Sequence, residues 1–80
     1  MTLLSRFVVY PEGESQEIPH HLTINQLVDL NGYPLQLPLQ TDKMIAYRVF
    51  RMSTEELRGE EIKRYYLELV NRDELRSYLR

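Results

Sequence analysis

The chain has 80 residues, ten of them basic and twelve acidic, with no cysteine and a 42% hydrophobic content. That is one domain's worth of chain, residues 1–80, with no room for a second core, and it is too apolar for a disordered one. The missing cysteines exclude disulfides, thiolate metal ligands and a cysteine nucleophile. The core alone, or a second copy of the chain, must therefore hold the fold.

Charge is unevenly spread. Residues 1–40 hold one base, Arg6, against Glu12, Glu14, Glu17 and Asp29, whereas residues 41–80 hold nine bases and eight acids. So mixed a surface makes no strong long-range field of the kind that steers a protein to nucleic acid. Arg6 interrupts the apolar start at Leu3 and Leu4 before a signal-peptide core develops. No apolar run approaches the roughly 20 residues needed to span a bilayer. The expectation is a soluble, cytoplasmic protein without a membrane segment.

Residues 6–10, β-branched and aromatic, read as a strand ending at Pro11, and residues 11–15 carry turn chemistry in Pro11 and Gly13. Residues 16–22 read as a return strand, placed at a sheet edge because Pro19 lacks an N–H. Thr23 and Gln26 fit a capping box, followed by Ile24, Leu27, Val28 and Leu30, which predicts a two-turn helix closed near Gly32. Residues 33–40, with alternating Leu35, Leu37 and Leu39 and prolines at 34 and 38, read as an extended crossing that buries its leucines. A groove-binding proline helix needs a three-residue repeat, which Pro34 and Pro38 do not give.

Residues 44–52 are the strongest strand candidate, with Arg48 and Arg51 set among Tyr47, Val49 and Phe50. Residues 53–61 read as an acidic connection containing Gly59, with Ser53 and Glu56 able to cap a helical turn. Residues 62–70 fit a strand, with Tyr65, Leu67 and Leu69 on one face, or a helix, with Ile62, Tyr66 and Leu69 together. Gly59 and the tyrosine pair favour the strand. Asn71, followed by Asp73 and Glu74, predicts a capped C-terminal helix carrying Leu75, Tyr78 and Leu79. The fold class expected is α+β: a small antiparallel sheet of about four strands with two short helices.

Enzymatic chemistry finds no footing. The serines, at 5, 15, 53 and 77, stand in no nucleophile elbow, and the three glycines cannot write a phosphate-binding loop. His20 and His21 are adjacent, so on an extended segment they point to opposite faces and do not grip one ion. Glu55, Glu56, Glu60 and Glu61 sit beside Arg58 and Lys63 and read as a solvated, locally paired surface rather than a catalytic pair. No catalytic, cofactor or metal site is expected, and no small-molecule site is recognised.

One constellation remains. If residues 44–52 pair with 62–70, one face carries Ile45, Tyr47, Val49, Tyr65, Leu67 and Leu69 and suits a core. The other carries Ala46, Arg48, Phe50 and Met52 beside Ile62, Arg64, Tyr66, Glu68 and Val70. The bland reading of that second face is a strand surface covered by a helix. Its mixture of aromatics, methionine and arginine is also the composition of a protein interface, and it resembles a stacking platform for single-stranded nucleic acid. The function expected is a non-enzymatic protein-binding module, self-association included, with Arg48, Phe50, Arg64 and Tyr66 as the partner-binding residues. An RNA- or single-strand-binding domain using the same face is the alternative.

Overall fold

The structure is a computed structural model that describes residues 3–79. Five strands run in chain order, β1 (Leu3–Val9), β2 (Ser15–Ile18), β3 (Leu27–Val28), β4 (Tyr47–Leu57) and β5 (Glu60–Leu69), followed by one helix, α1 (Arg72–Arg76). They form a single sheet in the order β2-β1-β5-β4-β3. The expectation of an α+β fold with four antiparallel strands and two helices is overturned. The protein is mostly β, its sheet has five strands and is mixed, and one short helix accompanies it.

The parallel element is β1 against β5, from Leu3 opposite Glu60 to Val9 opposite Tyr66. β1 also pairs antiparallel with β2, across the turn at Pro11 to Glu14 where Tyr10 N–H donates to Glu14 C=O at 2.8 Å. That hairpin is the one expected, and Pro19 falls just past β2, the outermost strand.

Two expected helical segments fold otherwise. At Thr23 the capping-box bond forms on one side only, with Thr23 N–H donating to Gln26 Oε1 at 3.0 Å. Asn25 then takes a left-handed φ of 72°, and Asn25 N–H donates to Val49 C=O at 2.7 Å. The chain is thereby drawn onto β4, and Leu27 and Val28 become a strand buried on both sides. Gly32 is left-handed as expected, but in a turn closed by its N–H on Asp29 C=O rather than at a helix end. Residues 53–61 hold no helical turn. β4 runs through them to Leu57, and Arg58 and Gly59 reverse the chain into β5.

Burial divides into two clusters. Val8, Tyr10, Ile18, Leu22, Val28, Tyr47, Val49, Tyr65 and Leu67 form the main core, and Tyr10 and Tyr47 meet edge-on at 5.3 Å. Leu27, Leu39, Ala46, Val70 and Leu75 form the second, beneath α1. The helix is capped as expected, Glu74 N–H donating to Asn71 Oδ1 at 2.8 Å, and it seats Leu75 and Tyr78. Ile45, just before β4, and Leu69, the last residue of β5, expected in the core, stand exposed, and so does Leu37 of the crossing segment.

Neither cluster reaches the far half of the β4–β5 hairpin. There β1, β5 and β4 continue as a three-stranded arm, and the molecule measures 45 × 23 × 17 Å. No helix among the described residues is long and apolar enough to cross a membrane.

Candidate surface on the three-stranded arm

Residues opposite one another in a sheet share a face. On β5, Ile62, Arg64, Tyr66 and Glu68 share the face that α1 covers higher up, and β1 contributes Ser5, Phe7 and Val9 beside them. The β4 side of that face is set by a β-bulge between Val49 and Arg51. Before it, Arg48 stands opposite Glu68. After it, Arg51, Ser53 and Glu55 stand opposite Tyr66, Arg64 and Ile62. The extra residue, Phe50, is left without a partner and is 49% exposed.

The bulge rearranges the expected constellation. Met52 moves to the opposite face, across from Tyr65, and Arg51 takes the place beside Tyr66. Its guanidinium carbon lies 4.1 Å from the Tyr66 ring centroid, a cation–π contact. In an unbroken strand Arg48 and Arg51 would point to opposite faces, so sequence alternation carried no signal for Arg51. Arg64 Nη1 donates to Glu55 Oε1 across the strands at 2.9 Å. Ser53 and the Arg51 and Arg64 cations draw the Tyr66 phenol below its usual value, against a smaller opposing push from burial.

Arg48 is placed differently from Phe50, Arg64 and Tyr66. Its Nε and Nη2 donate to Glu68 Oε1 at 2.9 and 2.6 Å, and Nη1 pairs with Glu74 of α1. Bonding to Glu68 above all, and to Glu74, raises the Arg48 guanidinium above its ordinary value. The three side chains clamp α1 onto the sheet and close the covered region where the open face begins.

The remaining candidates are dispersed. His20 Nε2 bonds Gly32 C=O at 2.9 Å and its ring packs on Tyr33, while His21 is exposed. Glu56 and Glu61 face each other at the tip of the arm, where like charges repel and favour solvent. A shallow depression beside α1 is walled by Asp42, Met44, Arg72 and Leu75. Asp42 there accepts from Arg76 Nε at 3.0 Å, which, with Arg72 nearby, holds its carboxyl below the usual range.

The molecule is thus a small mixed-sheet β protein with an uncovered three-stranded arm. Residues 2–78 match the model of a family described as "Uncharacterised Treponema protein". The chain belongs to that family. No curated protein and no solved structure matches it.

Proposed function

We propose that the protein is a non-enzymatic interaction module that engages a protein partner, a second copy included, through the open face of the arm. The observation that supports this is the exposure of large apolar side chains along a hydrogen-bonded sheet: Leu3 is 65% exposed, Phe50 and Leu57 49% each. Aromatic and arginine side chains held by strands make low-entropy anchors for association. Phe50 and Tyr66 are the anchors, with Arg51 and Arg64 as flanking donors, and Arg48 braces the helix beside them.

The test is the double variant Phe50→Ala with Tyr66→Ala, examined by sedimentation and circular dichroism. The expected result is a folded protein that has lost its association. An unfolded variant identifies both residues as core and refutes the surface; a folded variant that associates as before leaves the surface without a role.

The nucleic-acid reading is weaker on this face. Arg51 already covers one side of the Tyr66 ring, where a base would stack, and Glu55 neutralises Arg64. A mixed-sequence single-stranded RNA or DNA oligomer is expected to show no appreciable binding at physiological salt. Micromolar affinity with a steep salt slope, abolished by Arg64→Glu, would reverse the order of the two readings.

A further inference from the structure

We infer that the back face of the arm, opposite Phe50 and Tyr66, holds a binding site for a phosphate group, formed by Arg6, Lys63 and Thr54. The site lies apart from the open face and does not rest on the interaction-module reading.

Register brings the three residues together. Arg6 of β1 stands beside Lys63 of β5 in the parallel pair, and Thr54 of β4 stands opposite Lys63. Paired residues share a face, and adjacent strands lie about 4.8 Å apart. A guanidinium, an ammonium and a hydroxyl therefore spring from one row across three strands. Buried Ile18 of β2, opposite Arg6, closes the end of that row. Arg6 and Lys63 are half-buried and Thr54 is exposed.

The two cations lack a counter-ion. Like charges set side by side in a sheet repel, and a partly desolvated charge is costly without a partner. The other strand arginines have one: Arg48 pairs with Glu68 and Glu74, Arg64 pairs with Glu55, and Arg51 lies over Tyr66. Among the described residues Arg6 and Lys63 make no ion pair. The Arg6 Nε is moreover shut off from solvent with no hydrogen-bond partner. Arg6 is also the only base in residues 1–40, and none of the acids of that half is paired with it. An anion from outside the chain would satisfy both cations at once.

Neighbouring rows set the size of that anion. About 7 Å toward the tip, two residues along each strand, Glu56 faces Glu61 with Leu4 beside it. The same distance the other way stand Met52, Tyr65 and Val8. The bases thus form a single row between carboxylates and an apolar surface. A polyanion laid along the arm would meet the carboxylates, whereas one compact oxyanion fits within the row. A phosphate group carries about −1.5 to −2 charges at neutral pH, which matches two cations, and its oxygens accept from guanidinium, ammonium and hydroxyl together. A lone carboxylate would balance only one of the two.

The test is the phosphate dependence of stability and of the Arg6 side-chain signal, at constant ionic strength. Urea melts of the wild type should move to higher midpoint as inorganic phosphate replaces chloride, following the saturation of one site. The Arg6 Nε–H resonance should shift along the same curve. Lys63→Gln and Arg6→Gln should each weaken binding about tenfold or more, and Thr54→Val by a smaller factor. In phosphate-free buffer Lys63→Gln should melt no lower than the wild type, because it removes a like-charge pair. Glycerol phosphate separates the two sources of the group: equal binding assigns a phosphate monoester, weaker binding assigns free phosphate, and either supports the site.

Phosphate also stabilises folded proteins by exclusion from their surfaces. A midpoint shift that survives undiminished in both glutamine variants is that general effect and overturns the inference. Equal stabilisation by acetate at the same ionic strength, or an Arg6 resonance that does not move, overturns it too. A Lys63→Gln protein markedly less stable without phosphate would show that the cation is already compensated within the chain, and would likewise overturn it.

Discussion

Leu67→Ala is expected to lower the unfolding free energy by about 2–5 kcal/mol, the range for deleting a buried leucine side chain. Leu67 is 2% exposed and stands opposite Val49, which is fully buried. The main core wraps this pair from several elements, including Val8 of β1 and Val28 of β3, so the cavity has little freedom to collapse. A domain this small has a total stability of only several kcal/mol. The loss should appear in a urea melt as a large fall in midpoint with the slope preserved. An unchanged midpoint would overturn both the β4–β5 register and the assignment of the core.

Gly32→Ala is the second large effect expected, and it comes from the backbone and the core together. Gly32 sits at φ +85°, and a Cβ there would lie 3.3 Å from Ile18 Cγ2 and from Val8 Cγ2. The turn has no room to withdraw. Asp29 Oδ1 accepts from the backbone N–H of Asn31 and Tyr33, and the Tyr10 hydroxyl donates to Leu30 C=O at 2.8 Å. Left-handed backbone costs a non-glycine residue roughly 1–2 kcal/mol, and overfilling a packed site adds about 1–3 kcal/mol. Gly13→Ala provides the comparison, since Gly13 has φ +99° but no atom within 4 Å of its Cβ position. Thermal or urea melts should show Gly32→Ala clearly below Gly13→Ala. Equal losses would mean that the 29–32 turn does not pack on β1 and β2.

Local signals were legible in the sequence where local chemistry decides. The turn at Pro11 to Glu14, the β-branched strands and the Asn71 cap each follow from residues a few positions apart. They were misleading where distant partners decide. Thr23 and Gln26 do make a capping contact, yet burial of Leu27 and Val28 in the two clusters outweighs a two-turn helix. Residues 53–57 have weak strand propensity, but β5 supplies them a full ladder, with Ser53 opposite Arg64 and Glu55 opposite Ile62.

The candidate surface shows the same division. Phe50, Arg64 and Tyr66 are recognisable from residue type and spacing, whereas Arg51 depends on a bulge that no glycine or proline announces. Arg48 carries the right chemistry for a partner, but Glu74 lies far along the chain and only the fold brings the two together.

The parallel pairing of β1 with β5 also has a consequence in time. A strand that must lie beside Glu60 to Tyr66 has no neighbour on that side until most of the chain exists. On a ribosome, β1 emerges before the other strands and finds β2, while its inner edge waits through the synthesis of β3, β4 and the turn after it. The β4–β5 hairpin closes locally within microseconds of its own emergence, but joining it to β1 requires two segments far apart in the sequence to meet. Closing so large a loop is slow because its entropy is lost before the contacts repay it. Seating β1 against β5 therefore follows closure of the β4–β5 hairpin, and until then β1 and β5 carry open edges together.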